Sequence, residues 1–163
     1  MSRPKSKNPT APKCPAIEIK VLRKSDRNTL SNVARGVFDN AINLKSTLEF
    51  LRDPRHHMAV ALENGLVVGM ASAVHYVHPD KAPELWINEV AVAKTHRRQG
   101  VGSALVAQLL EIGRRHGCVE AWVLTEQNNR AAIRLYSSQG GKRAPKDPVM
   151  FTFRLRAARH KSK

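Results

Sequence analysis

Apolar and polar residues change their period several times along this chain, and each change marks an element. Ile17-Glu18-Ile19-Lys20-Val21-Leu22 alternates with period two and predicts a strand. From Asp26, a residue suited to capping a helix start, Leu30, Val33, Ala34 and Val37 share one helical face, which predicts a helix to about Phe38. A short second helix is expected over Thr47 to Leu51, ending before Asp53-Pro54. Apolar runs at Met58–Leu62 and Leu66–Val77 flank Glu63-Asn64-Gly65, the signature of a hairpin with a tight Asn-Gly turn. A loop at 78–83 leads to a strand over Glu84–Ala93. Beyond a glycine-rich turn, Leu105, Leu109 and Ile112 form one stripe of a helix over Ser103–His116, closed by Arg114-Arg115-His116 before Gly117. Val119–Leu124 reads as a strand, Asn129–Ser138 as a helix and Val149–Leu155 as a final strand. The order β-α-α-β-β-β-α-β-α-β defines an α/β (α+β) chain without internal repeats.

Length and charge then narrow the picture. At 163 residues with 42% hydrophobic content, the chain suits a single domain with a full-sized core. No run of 18 apolar residues exists, so no membrane span is expected, and the basic, proline-rich start lacks the apolar centre of a signal peptide. Cys14 and Cys118 lie far apart without metal-ligand spacing, which fits reduced thiols and a cytoplasmic location. The net charge of +15 is concentrated at the ends. Met1–Ala16 carries Arg3, Lys5, Lys7 and Lys13, and Arg154–Lys163 carries five more cations, with no acid in either. The remaining 19 cations and 13 acids leave residues 17–153 at +6. The expectation is a basic disordered tail at 1–16, a folded domain at 17–156 and a basic tail at 157–163. A competing reading makes the tails a footprint for nucleic acid or ribosomes. With 5% aromatic residues, none interleaved with the basic runs, no stacking platform supports it.

The candidate chemistry starts at His96-Arg97-Arg98-Gln99-Gly100-Val101-Gly102-Ser103. A glycine-rich turn between a strand and a helix presents unpaired N–H groups and the positive end of a helix dipole, which together favour a phosphate group. Gly100 and Gly102 lack a Cβ that would hold a diphosphate away, and Arg97 and Arg98 add charge. A P-loop would need Lys-Ser/Thr after its second glycine, and a dinucleotide site would need a third glycine and a later acid; the chain has neither. The remaining pattern, Arg/Gln-x-x-Gly-x-Gly/Ala, is met by Arg97, Gly100 and Gly102. Here the chain resembles the GCN5-related N-acetyltransferases, whose acetyl-CoA pyrophosphate sits on this turn, and the predicted order of elements is that of their single-domain fold, a mixed, mostly antiparallel sheet flanked by helices.

The resemblance extends to Asn129-Arg130-Ala131-Ala132-Ile133-Arg134-Leu135-Tyr136, seven residues from Asn129 to Tyr136 and so two turns of one helix. It implies cofactor contacts from Val90, Ala91 and Val92 on a bulged strand, from Arg97, Arg98, Gln99, Gly100, Val101, Gly102 and Ser103 on the turn, and from Asn129 and Tyr136. It also implies direct attack of an amine within a ternary complex. The amine must lose its proton, the oxyanion needs donors and the leaving thiolate needs a proton. Tyr136, a phenol with an ordinary pKa near 10, is the candidate donor; a core aromatic is the alternative. Glu84 and Glu89 on the strand, and Glu126 after the next one, are the candidate bases, with solvated or structural carboxylates as the alternative for the strand pair. No metal is expected: the seven histidines are scattered, and His75 and His78, three apart, project to opposite faces.

Within that family the chain is similar to type I aminoglycoside 3-N-acetyltransferases, enzymes of antibiotic resistance. The likeness rests on Glu84, Glu89, Ala91 and Val92, on His-Arg-Arg-Gln-Gly at 96–100, and on Val149, Met150 and Phe153 with one residue inserted. It implies a small-molecule amine as acceptor and pairing as a homodimer. Glu84, Glu89, Glu126 and Asp147, with Asp53, are the acids this chain has for a pocket that binds such an amine. The alternatives are a polyamine, amino-acid or protein amine as acceptor, or a non-catalytic basic adaptor. Trp86 and Leu124 stand where histone-type and ribosomal-protein members carry a glutamate. The segment Thr125–Arg130 is acid-poor where the aminoglycoside enzymes carry several aspartates.

Overall fold

The Asn64-Gly65 turn organises the sheet. Both residues take left-handed backbone, φ 50° and 78°, the pairing that a two-residue hairpin turn requires. It joins β2 (His56–Glu63) to β3 (Leu66–Tyr76). The computed structural model describes residues 16–144, 149–153 and 155. The predicted tails, apart from Ala16, and Asp147 lie outside them. Among the described residues five strands form one sheet in sequential order: β1 (Glu18–Val21), β2, β3, β4 (Glu84–Val92) and β5 (Glu120–Val123). The first four are mutually antiparallel and β5 runs parallel to β4.

One face of the sheet is covered by α2 (Val101–Arg115), whose Val101, Leu105, Val106, Leu109 and Ile112 are buried against Ala59, Ala61, Ala71, Ala73, Leu85 and Ile87. Fully burying Leu105 and Leu109 contributes about 1.5–3 kcal/mol each. The small strand residues let the helix sit close. A Cβ on Gly69 would meet Leu105 Cδ1, Val101 Cγ1 and the Ala91 carbonyl at 3.2 Å. The opposite face packs on Leu22, Leu30 and Val37, with α1 (Leu44–Arg52) beyond. Asn43 caps α1, its Oδ1 accepting from the Ser46 N–H at 3.0 Å. The last helix, α3 (Arg130–Ser138), packs beside the start of α2 through Leu135.

Two sequence expectations are corrected. The helix expected from Asp26 to Phe38 is a 3-10 helix over Lys24–Ser31. Asp26 does cap it, but from inside the first turn, accepting from the Arg23 N–H at 2.9 Å and pairing with Lys20 at 2.8 Å. Val33 then leaves the helical path because the backbone of Val67 takes over its neighbours. The Val67 N–H donates to Asn32 O and the Ala34 N–H donates to Val67 O, both at 2.9 Å. Tertiary pairing overrides the local period. The final strand expected over 149–155 is not formed by the residues described there: Val149, Met150, Phe151, Phe153 and Leu155 are all exposed, and no strand pairs with them. An apolar run extends into a strand only where an edge receives it.

Candidate functional site

The glycine turn is braced by its own side chains. Arg97 Nε donates to Val92 O at 3.0 Å and Gln99 Nε2 to Thr95 O at 2.9 Å, so both side chains hold the turn closed on itself. His96 Nε2 lies 3.1 Å from Glu63 Oε2, which ties the turn to the β2–β3 hairpin. Arg98 sits at φ 61°, left-handed for a residue that is not glycine. Gly100, the N-cap of α2, sits at φ 81° with open space where its Cβ would be. No side chain caps this helix start, so the N–H groups of its first turn, at Val101, Gly102 and Ser103, face outward as orphan donors. These donors, the exposed Arg98 beside them and the helix dipole favour an anion at this end of α2.

The two glycines sit in different surroundings. Gly100 provides the left-handed turn. A Cβ on Gly102 would point at Leu135 Cδ2, 3.4 Å away on α3, so this glycine lies where the two helices pass. Val101 is buried in the core, so only its main chain is available to a ligand.

Strand β4 changes face just before the turn. Ser72 pairs with Glu89 and Ala73 with Ile87, which leaves Asn88 as an extra residue, a bulge. Before the bulge Leu85 and Ile87 point under α2. After it Val90 and Val92 do so, while Ala91 and Ala93 point to the other face. The bulge thus aims Glu89 away from α2, into a cleft of about 370 Å³ lined also by Phe38, Asp39, Asn43, Thr47 and Phe50. Partial desolvation, with Asp39 adding like charge, raises the Glu89 carboxyl above its ordinary value. On the other side, β5 pairs with β4 only from Glu84 to Ile87. Past that point the two strands part, and the edge of β4 at Val90, Ala91 and Val92 has no strand partner among the described residues. This edge runs from the cleft to the glycine turn, where the Val92 carbonyl is already taken by Arg97 Nε.

Tyr136 sits on α3, half-buried against the α2-side core, and burial raises its phenol above the ordinary value of 10.0. Asn129 is the N-cap of the same helix, its Oδ1 accepting from the Ala132 N–H at 3.1 Å. Its oxygen is therefore committed to the helix, and its amide nitrogen is the part left to reach a cofactor.

Among the described residues, the other predicted acids do not line the Glu89 cleft. Glu84, roughly 15 Å of strand away from Glu89, accepts from the Tyr76 hydroxyl at 2.7 Å and from Trp122 Nε1 at 3.2 Å, and the first of these bonds chiefly lowers its pKa. Both donors tie Glu84 into the sheet, and it is not among the residues that line the Glu89 cleft. Asp53 is held by Arg55 in a paired contact at 2.7 and 3.0 Å. Glu126 is exposed on the loop after β5. Asp39 is the acid that sequence reasoning missed: it lies outside the motif-bearing strands and reaches the cleft through the irregular segment before α1.

The expectation that the histidines are scattered is also corrected. His57, His75 and His116 bring a ring nitrogen each within 4.8 Å of one another. Burial, first, and the two neighbouring imidazoles push His57 down to about 4. The signal for this cluster is the parity of two paired strands, which sequence spacing alone does not register.

Residues 27–140 match the Acetyltransferase (GNAT) family. The chain is 36% identical over 97 residues to the aminoalkylphosphonate N-acetyltransferase of Salmonella typhimurium strain LT2, covering 58% of this chain and 62% of that protein. It is 30% identical over 98 residues to N-acetyltransferase family 8 member 3 of Rattus norvegicus, covering 60% of this chain and 43% of that protein. The chain therefore spans less than two thirds of these relatives. In fold it is similar to an aminoglycoside acetyltransferase from an uncultured soil metagenomic sample in complex with trehalose (TM-score 0.76, 21% identity, 86% of this chain and 97% of that one). It is also similar to the aminoglycoside N-acetyltransferase AAC(6')-Iy in complex with CoA (TM-score 0.70, 21% identity, 90% and 99%).

Proposed function

The chain belongs to the acetyltransferase (GNAT) family, and on that premise we propose that it transfers an acetyl group from acetyl-CoA to a primary amine of a small molecule. The observation that carries this reading is the continuity of three features along β4: the cleft with Glu89, the unpartnered edge at Val90–Val92 and the orphan donors at Val101–Ser103. Bound acetyl-CoA would supply the thioester to be attacked, and this chain's residues do the rest. The N–H groups of the turn hold its pyrophosphate, and the edge of β4 takes the extended pantetheine arm as a strand would be taken. Main-chain N–H groups just after the bulge are the donors for the carbonyl oxygen as it becomes an oxyanion. Glu89, with its raised pKa, takes the proton from the incoming ammonium, directly or through water. The Tyr136 phenol, kept protonated by burial, supplies the proton that the leaving thiolate needs.

For the acceptor we propose an aminoglycoside amine at the 3-N position. The support is the sequence likeness at Glu84–Val92 and 96–100 together with the paired carboxylates Asp39 and Glu89, which suit a cationic amine. A second reading is a small amine that also carries an anion. It is favoured by Arg27 and Arg35, which line a hollow of about 690 Å³ sharing Leu30, Phe38 and Thr47 with the Glu89 cleft. Thiol release from acetyl-CoA tests both readings, with gentamicin, sisomicin, kanamycin, spermidine, an aminoalkylphosphonate and a basic peptide as acceptors. Turnover on the gentamicin group with one acetylated ring amine supports the first. Turnover on the aminoalkylphosphonate alone replaces it with the second, and turnover on spermidine or peptide alone overturns both.

A further inference from the structure

At the far end of α2 from the glycine turn, roughly 22 Å along a 15-residue helix, three imidazoles meet where the alanine floor of the core ends. His57 continues the Ala59, Ala61 row of β2, and His75 continues the Ala71, Ala73 row of β3. His57 pairs with Ala73, so His75 stands diagonally across from it on the same face. His116, the C-cap of α2, comes down on both from the helix end. His57 Nε2 and His75 Nδ1 are 2.8 Å apart, and the His75 and His116 rings stack with centroids 4.4 Å apart. His57 is 9% exposed, at a position where its row otherwise holds alanine, and its polar ring is met there only by the other two imidazoles among the described hydrogen bonds and ring contacts.

We propose that His57, His75 and His116 form a binding site for one divalent transition-metal ion of the zinc class. The donor set argues for that class. Three imidazole nitrogens without a carboxylate among them suit Zn²⁺, Ni²⁺ or Cu²⁺ and do not suit Mg²⁺ or Ca²⁺, which take oxygen ligands. A zinc ion takes its nitrogens at about 2.0–2.1 Å in a tetrahedron, which sets them about 3.3 Å apart, so His57 Nε2 and His75 Nδ1 must open from 2.8 Å and give up their shared proton while the set as a whole draws in from a 4.8 Å spread. His57 and His75 are fixed on paired strands, whereas His116 is exposed at a helix end and is the one free to swing. The fourth position is left to water or a small ligand. Such an ion clamps the end of α2 to β2 and β3, away from the acetyl-transfer cleft.

The test uses the full chain, stripped with a chelator and titrated with Zn²⁺ alone and with Co²⁺ alone. One equivalent is expected to bind, with the visible absorption of tetrahedral Co²⁺ appearing in step and with a rise in Tm. His116→Ala, at an exposed position, is expected to keep the circular dichroism and metal-free Tm of the parent while binding at least about tenfold more weakly. His75→Gln serves as a second variant with the same expectation for binding. Absence of saturable binding to the parent chain overturns the proposal. Equal binding by the parent and both variants also overturns it, since the ion is then held by other histidines.

Discussion

The Glu84 carboxylate accepts from the Tyr76 hydroxyl at 2.7 Å and, on the same oxygen, from the Trp122 indole at 3.2 Å. One side chain thereby ties together the ends of β3, β4 and β5, and both donors are occupied by structure. Glu84→Gln is expected to lower Tm while leaving kcat within about twofold, since general acid–base losses of 10²–10⁴ attach only to groups that move the reacting proton. Parallel melts and thiol-release rates measure the two effects separately.

Glu89 carries the opposite expectation. Glu89→Gln removes a proton acceptor from the cleft and is expected to lower kcat/KM by about 10²–10⁴, with little change in Tm. Its folded pKa is raised, so the charged form needed for catalysis is lost on the acid side at a pH above the ordinary 4.5. The acid limb of the kcat/KM profile should therefore lie above 4.5 and disappear in the variant. The same shift works against folding as pH rises, because a raised carboxyl stabilises the fold below 4.5 and gives that stability up as pH climbs through its folded value.

Tyr136→Phe deletes one hydroxyl and keeps the ring in its packing against the core. If the phenol donates to the thiolate, kcat falls about 100-fold or more while KM for acetyl-CoA stays near the parent value. Because burial holds the phenol above 10, the parent's rate should show no alkaline loss below that pH. An unchanged kcat in the variant removes Tyr136 from the role.

The two glycines of the turn should fail in different ways. Gly100→Ala forces a side chain into left-handed backbone, costing about 1 kcal/mol of stability, and misdirects the N–H groups that hold the pyrophosphate, so KM for acetyl-CoA rises. Gly102→Val drives a branched side chain into Leu135 and is expected to displace α3, lowering Tm and the contribution of Tyr136 to kcat together. Steady-state kinetics with acetyl-CoA as the varied substrate tell them apart.

In the presence of a chelator, acid should loosen the far end of the domain first. His57 has a folded pKa of about 4 against an ordinary 6.5. A base with a depressed pKa contributes its stability above the unfolded value and loses it as pH falls. Stability should therefore decline between about 6.5 and 4, by up to about 3 kcal/mol. Urea melts at stepped pH, with His57→Gln flattening that decline, provide the check.

What could be read from the sequence follows from how local each signal is. The Asn64-Gly65 turn, the apolar stripe of α2 and the cation-rich, glycine-stopped end of that helix are decided within a few residues, and all stand in the structure where the pattern puts them. The glycine turn was legible for the same reason. Val33 could not be read correctly, because its backbone neighbours are bound by Val67, 34 positions on. Glu84 and Glu89 look alike in sequence; only the bulge at Asn88 and the donors Tyr76 and Trp122 separate a cleft carboxylate from a structural one. Asp39 and the histidine cluster depend on distant segments meeting, and no spacing rule within one element reports that.

The extra residue at Asn88 also governs how the strand would tolerate a change of length. Paired side chains share a face, so Glu89 opposite Ser72 and Val90 opposite Ala71 keep their facing as long as that pairing holds. Removing Asn88 would leave Glu89 toward the cleft and Val90 beneath α2, and would straighten β4 by taking out its bulge. Removing Glu89 in its place would let Asn88 stand opposite Ser72, so two neighbouring one-residue deletions would yield the same regular strand with and without its carboxylate.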